Sequence, residues 1–480
     1  MGTKTKLDEA ALAFGTVTDL NTALRNREIS CVELTEFFGK RLETLGPQYN
    51  ALACSMLKRA KKQAKDIDFD LKRERFRGPL QGIPYAAKDL IAVAEFPTTW
   101  GAKPYQEQVF DEDATVIGRL GGHGAILIGK LSMIELAGGG GYSSASASLQ
   151  GPCLNPWNKQ YWTGGSSSGS GAAVAAGLAP FALGSETSGS IMSPASSCGV
   201  TGLRPTYGLV SRHGAMALSW TLDKIGVLAR SADDCGWILR AIAGKDEADS
   251  GSAGKSFYYS PQFYQRFADI KVGFAEIDFG QWPEEPLRPA FLSALELVKS
   301  IGGQMKETKL PDFPYGPVIG TIIDSEAASV FEPLIRSGRI DQLADPSQID
   351  GLKASLNYSA VDYLKAMRVR SQIRTAFHDL LMEVDLLVAP TYPTLPDRVD
   401  RPFDETERKR PDQKGVLAGL ISASNLCGLP AISIPCGYVS GLPIGLQIVG
   451  GPFSENRIIA FAREFQRRTD FHKQRPPVPS

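Results

Sequence analysis

Residues 138–215 limit the possible folds more than any other stretch of the chain. They hold four consecutive glycines at 138–141, the run GGSSSGSG at 164–171 and the run GSETSGS at 184–190. Between the last two runs lie AAVAAG at 172–177 and the apolar triplet Phe181, Ala182, Leu183. A flexible Gly/Ser linker would lack both. A small-residue helix followed by an apolar strand marks a packed core segment, in which glycines serve tight turns and close backbone approach.

The rest of the chain is ordinary for a folded protein of 480 residues, with 43% hydrophobic and 22% charged residues. Lys+Arg and Asp+Glu both number 52. This balance gives no reason to expect nucleic acid or an anionic membrane as a partner. Seven cysteines, an odd number with no CxxC pair, point to reduced thiols and a cytoplasmic setting rather than a disulfide framework or a zinc site. No cofactor or metal is expected. The opening MGTKTKLDEA has no apolar core of a secretory signal, and no apolar run of about 18 residues suggests a membrane span.

Residues 8–66 read as helical, with Val32, Leu34, Phe37, Phe38 and Leu42 at helical spacing. Residues 82–89 (GIPYAAKD) read as a turn entering an extended segment, and residues 125–129 as a buried strand. Residues 245–265 are a polar surface connection before a strand near 270–274. Residues 281–350 are read as helices and loops around a substrate pocket, and 359–383 as one long helix before a strand at 386–388. Residues 416–450 alternate helix, turn and strand. Strands alternating with helices indicate an α/β sandwich with a central sheet.

Hydrolysis of an unreactive carbonyl needs an activated hydroxyl and preorganised N–H donors for the oxyanion. The turn Thr187, Ser188, Gly189, Ser190 has the required form: small residues let successive N–H groups point one way, and a serine closes the turn. With only four histidines in the chain, a lysine is the alternative base. Lys88 sits in an otherwise apolar run with Asp89 its only charged neighbour. Locally this admits two readings: a strand-edge surface lysine, or a lysine held neutral in a dry site.

The pieces GGSSSG at 164–169, GSETSGS at 184–190, Pro194-Ala195, Cys198-Gly199, Gly202, Pro205-Thr206, Gly208 and VSRHG at 210–214 resemble, in order, the signature of the amidase signature family. The upstream GIPYAAKD, and downstream PTYP at 390–393, NLCGLPA at 425–431 and GLPIGLQ at 441–447, extend the resemblance over about residues 10–465. The resemblance implies one large α/β/α domain over 1–480 with a mixed central sheet covered by helices. Within it, 1–75 is an N-terminal helical region, 80–240 the signature core, 245–350 a variable pocket or cap region, and 355–465 the C-terminal part of the sheet. It also implies a triad of Ser190 as nucleophile, Ser166 as bridging serine after a cis Gly165–Ser166 bond, and Lys88 as base. The oxyanion donors would be the N–H groups of Thr187, Ser188, Gly189 and Ser190; Gly140, Gly141 and Tyr142 would line the substrate pocket. Ser167 would help orient Ser166 or Lys88, Lys130 would form a structural ion pair, and Cys198 and His213 would be structural.

The chain departs from the common family pattern at Glu186, Ser188 and Met192, where many relatives carry Asp, Gly and Arg. A longer acid without the Arg implies a rearranged support beneath the oxyanion turn. The arginine-bearing motif of the family's glutaminases is not recognisable between residues 335 and 370. The resemblance therefore implies a stand-alone amidase, monomer or homodimer, for neutral aryl or alkyl amides, with carbamates and esters sharing the pathway as in the bacterial urethanases of the family. A glutaminase subunit of a tRNA-dependent amidotransferase is the alternative; a non-catalytic scaffold fits poorly with an intact triad.

Overall fold

A computed structural model describes residues 8–261, 266–403 and 415–477. Residues 1–7, 262–265 and 404–414, which fall in stretches read above as the N-terminal region, the polar connection and the C-terminal part, lie outside the described residues, as do 478–480.

Eleven strands form one mixed sheet. They are β1 (Leu52–Ser55), β2 (Pro84–Lys88), β3 (Ile126–Leu131), β4 (Phe181–Glu186), β5 (Thr201–Arg204), β6 (Lys224–Ala229), β7 (Lys271–Phe274), β8 (Gln304–Glu307), β9 (Leu386–Pro390), β10 (Ala431–Val439) and β11 (Leu442–Gly450). Their order across the sheet is β1-β3-β2-β4-β6-β5-β10-β11-β9-β7-β8. β2 runs parallel to both β3 and β4, and β7 to both β8 and β9, while the pairings between β4 and β9 are antiparallel. β2, β3, β6, β9 and β11 are buried along their whole length. This is why they read as near-continuous apolar runs: helices cover both faces of the sheet. No helix among the described residues is long and apolar enough to cross a membrane.

The long helix read over 359–383 is Ala360–Glu383, started by a capping box between Ser359 and Asp362. The helical reading of 8–66 needs correction, because β1 interrupts it and pairs antiparallel with β3. Its four residues, Leu-Ala-Cys-Ser, are too few to show a period of two. The stretch 281–350 contains the helices Arg288–Ser300 and Tyr315–Arg336, and also the edge strand β8, which its polar sequence QMKE conceals.

The helix Ser168–Ala175 is buried at every residue. Its composition of Ser, Gly, Ala and a single Val follows from that position: no larger side chain would let it lie between the sheet and the helix Met192–Cys198. The Gly/Ser run at 164–171 is therefore buried core.

Candidate active site

Lys88 ends β2 and Glu186 ends β4, and in this parallel pair Ala87 lies opposite Leu183. This register sets Lys88 beside Gly184, and its side chain reaches the next residue, Ser185. The Lys88 side chain is fully buried, with Nζ 2.7 Å from Ser166 Oγ and 3.0 Å from Ser185 Oγ. Burial lowers its pKa to about 7, against the opposing pull of Asp223 and Glu186. Flanked by β3 and β4, Lys88 is not the strand-edge surface lysine that local sequence allows. It is a dry lysine that can be neutral near neutral pH.

Ser166 follows a cis peptide bond with Gly165. Ser167, next in line, is tied to β4: its hydroxyl donates to the Ser185 carbonyl at 3.1 Å and accepts from the Ser185 N–H at 3.3 Å. Ser167 thus anchors the backbone of the residue whose hydroxyl meets Lys88. The Ser167 N–H also donates to the Ser190 carbonyl at 3.3 Å, so the two serine-bearing turns are joined by backbone. The half-buried Ser190 hydroxyl makes no hydrogen bond among the described residues. Lys88 and Ser166 are thus hydrogen-bonded to each other, whereas Ser166 and Ser190 are not.

Ser190 closes a turn from β4 into the helix Met192–Cys198. Gly189 has φ of +91°, a left-handed conformation that favours glycine, and a Cβ there would also sit tightly against the Tyr392 hydroxyl at 3.0 Å. The N–H groups of Thr187, Ser188, Gly189 and Ser190 have no acceptor among the described residues. The next two N–H groups, of Ile191 and Met192, donate to Glu186 Oε2 at 2.8 and 3.0 Å. Glu186 Oε1 in turn pairs with Arg204 Nη1 at 2.6 Å and accepts from Asn425 Nδ2 at 2.8 Å. Burial opposes ionisation of Glu186, but Arg204 and Asn425 outweigh it and hold the carboxyl at about 2. The rearranged support implied by the departure at 186 and 192 is therefore an ion pair with Arg204 of β5.

Alternation along β4 puts Leu183, Ser185 and Thr187 on the face opposite Glu186. The Thr187 hydroxyl donates to Asp223 Oδ1 at 2.6 Å, and Asp223 Oδ2 accepts from the Leu218 and Ser219 N–H groups at 2.8 Å. Burial raises the Asp223 pKa. Beside Ser185 and Thr187 lies a cavity of about 250 Å³, which Ala137 also lines.

The residues read as pocket-lining are placed as follows. Gly140 packs against the helix Pro346–Ser355, where a Cβ would meet the Leu352 N at 2.6 Å. Gly141 is exposed, and Tyr142 packs edge-on against Trp162 and Phe403. Lys130 forms a buried ion pair with Asp89 at 2.9 Å. Cys198 is buried and donates to the Thr163 carbonyl at 3.5 Å.

Sequence reading missed Ser185, Arg204 and Asp223. Ser185 was within reach, since it stands two residues before Thr187 in a strand. Arg204 and Asp223 gave no local signal, because their partners are 18 and 36 residues away.

A family model described as amidase matches residues 33–459. The chain is 36% identical over 488 residues to a subunit of the glutamyl-tRNA(Gln) amidotransferase of Halalkalibacterium halodurans, covering 96% of this chain and 98% of that protein. Among solved structures, it superposes with a TM-score of 0.85 at 27% identity on a chain from a vestigial protein complex bearing on the origins of an s-triazine catabolic enzyme, over 94% of this chain and 98% of the other. The native peptide amidase of Stenotrophomonas maltophilia gives a TM-score of 0.79 at 27% identity, over 98% and 99% of the two chains. With the signature segment, the mixed sheet and this family match over most of its length, the chain belongs to the amidase signature family of enzymes acting on C–N bonds.

Proposed function

We propose that the protein hydrolyses carboxamide C–N bonds of small neutral substrates through an acyl-enzyme at Ser190. The observation that carries this reading is the buried Lys88, 2.7 Å from Ser166 and with a pKa lowered to about 7. A neutral amine there can take the Ser166 proton while Ser166 takes that of Ser190. Ser190 Oγ then bonds to the carbonyl carbon, and the oxyanion meets the unpaired N–H groups of residues 187–190. The Lys88 ammonium returns the proton through Ser166 to the substrate nitrogen, the C–N bond breaks and the amine leaves. Water attacks the acyl-enzyme by the same relay, releasing the acid and restoring Ser190. A carbamate would follow the same path, its acid product losing carbon dioxide to leave an alcohol; an ester would lose an alcohol in place of the amine. The open contact between Ser166 and Ser190 fits an unliganded site, where catalytic hydrogen bonds are commonly long until substrate binds.

Neutral substrates fit the electrostatics. Arg204 is paired with Glu186, Arg212 with Asp249, and Arg370 donates to the Leu426 and Thr221 carbonyls, so these cations are already engaged. A second reading, glutaminase subunit of an amidotransferase with a partner protein that takes the ammonia, is favoured by the 36% identity to the Halalkalibacterium halodurans protein.

The test is labelling by a fluorophosphonate, with turnover of acetanilide, benzamide, a methyl carbamate and L-glutamine. Covalent modification at Ser190 and loss of all turnover in Ser190→Ala are expected. Persistent anilide turnover in Ser190→Ala would refute the mechanism. Glutamine hydrolysis that appears only when an amidotransferase partner protein is added would replace the first reading by the second.

A further inference from the structure

The cavity of about 250 Å³ beside Ser185 and Thr187 has a definite chemistry. Its buried walls include Leu90, Met216, Leu218 and Ile225, each under a tenth exposed. Its outer lining includes Trp220, half-exposed at 49%, and the exposed Ala248 and Ser250. The space therefore runs from the inner end, where Ser185 touches Lys88 and Thr187 begins the oxyanion turn, out to solvent beneath an indole ring.

The wall also carries polar and ionic groups, Arg212, His213, Asp223, Lys224 and Asp249, of which Arg212, Asp223, Lys224 and Asp249 already hold partners within the chain. Asp223 takes the Thr187 hydroxyl and two backbone N–H groups. Arg212 holds both oxygens of Asp249, with Nη2 to Oδ1 at 2.7 Å and Nε to Oδ2 at 3.0 Å, and also donates to the Trp220 carbonyl. Lys224 donates to the Leu222 carbonyl. A ligand with its own carboxylate and ammonium would have to compete with these pairs, at the cost of desolvating its charges. An uncharged apolar group has no charge to desolvate and gains from burial against the part of the wall formed by Leu90, Met216, Leu218 and Ile225.

Size narrows the class further. An apolar cavity of about 150 Å³ already accommodates benzene. A space of about 250 Å³ accepts a substituted ring or a branched alkyl group, and is too small for a long acyl chain.

We propose that this cavity is the recess for one substituent of the scissile amide, and that the substituent is a neutral aromatic or branched-alkyl group about one ring in size. The inference rests on Ser190 as nucleophile and adds to it the substrate class. Met216 and Leu218 form the aliphatic wall against which the group packs, and Trp220 covers it at the mouth.

The test uses the full-length protein, with fluorophosphonate labelling of Ser190 and a thermal melt as controls for an intact site. kcat/KM is measured for acetamide, benzamide, acetanilide, a naphthyl amide and L-glutamine. The wild type should prefer benzamide or acetanilide to acetamide by at least tenfold and to glutamine by more; whichever of the two leads shows whether the acyl or the amine side occupies the recess. Met216→Trp, which fills the space, should lower the ratio of ring-bearing substrate to acetamide at least tenfold. Met216→Ala, which enlarges it, should shift preference toward the naphthyl amide. Ratios unchanged in both labelled variants, or a wild type that favours glutamine, would overturn the proposal while leaving Ser190 as nucleophile. Absence of Ser190 labelling together with absence of turnover on every amide would instead overturn the underlying reading, and the substrate class with it.

Discussion

Glu186 Oε1 lies 2.6 Å from Arg204 Nη1, and both side chains are fully buried. The pair stands directly under the turn 187–190, because the other oxygen of Glu186 holds the Ile191 and Met192 N–H groups. Those two bonds end the turn and leave the four preceding N–H groups free. The carboxylate is thus a mould for the turn as well as an ion-pair partner.

Replacing Glu186 by Gln keeps the shape and removes the charge facing Arg204. A buried guanidinium left without its carboxylate should cost about 3–5 kcal/mol. Glu186 is held at about 2 in the folded protein against an ordinary 4.5. Its contribution to stability is therefore fully present above pH 4.5 and is lost as pH falls from there toward 2. Thermal melts of wild type and Glu186→Gln should differ most near neutrality and converge in acid. The looser turn should also lower kcat at least tenfold on any amide that the wild type cleaves.

Lys88 shifts in the opposite sense to an ordinary surface lysine, from 10.5 to about 7. In the proposed mechanism Lys88 acts as base and must be neutral, so kcat/KM should rise along a single limb centred near pH 7 and stay high above it. The stability consequence has its own sign. Between pH 7 and 10.5 the unfolded chain carries the proton and the folded one does not, so stability increases with pH across that window. Lys88→Met removes the burden of a buried amine. It should abolish turnover yet melt higher than the wild type by several degrees below pH 7, with the gap closing as pH approaches 10.5. A variant that melts lower at every pH would show that Lys88 contributes more through its two hydrogen bonds than it costs through burial.

Part of this candidate site was legible in the sequence for a physical reason. Ser190 and the turn 187–190 stand out in a segment whose composition suits close packing and tight turns, whereas Ser166 was singled out only by the family resemblance. Lys88 was ambiguous locally, since an isolated lysine in an apolar pentapeptide looks the same at a sheet edge and at its centre. Only the pairing of β2 with β3 and β4 separates the two. β1 and β8 were hidden because four-residue strands are too short for periodicity to register. Arg204 and Asp223 were hidden because long-range partners leave no mark on neighbouring residues.

In the proposed mechanism Ser185 serves as a positioning residue for Lys88. Its hydroxyl accepts from Nζ at 3.0 Å and leaves the nitrogen lone pair to face Ser166. Ser185→Ala should reduce kcat about tenfold, the worth of one hydrogen bond to an ionisable group, with little change in KM. Losing an acceptor also destabilises the ammonium form, so the ascending limb of the pH profile should move to lower pH. Ser185→Thr, which keeps the hydroxyl, should restore both kcat and the limb. A purely structural role would lower the melting temperature without moving the limb.

Gly140 and Gly141 offer a matched comparison, since both have positive φ, +80° and +82°. A Cβ at Gly141 would meet nothing within 4 Å, whereas one at Gly140 would lie 2.6 Å from the Leu352 N and 2.9 Å from the Gln348 carbonyl. Gly141→Ala therefore carries only the backbone penalty of a left-handed residue, about 1–2 kcal/mol. Gly140→Ala adds a clash with the backbone of the helix Pro346–Ser355, which cannot yield as a side-chain tip could, and overpacking of this kind costs a further ~1–3 kcal/mol. That helix is also held to the 135–144 loop by the Gln348 amide, which donates to the Glu135 and Gly139 carbonyls, and by Asp345, which accepts from the Ser143 and Ser144 N–H groups. Forcing the two apart at Gly140 should loosen all four bonds at once. Chemical denaturation should thus show Gly140→Ala clearly less stable than Gly141→Ala. Hydrogen exchange should show the added loss of protection confined to residues 135–144 and 345–352. Equal destabilisation by the two substitutions would mean that the loop and the helix do not press together at Gly140.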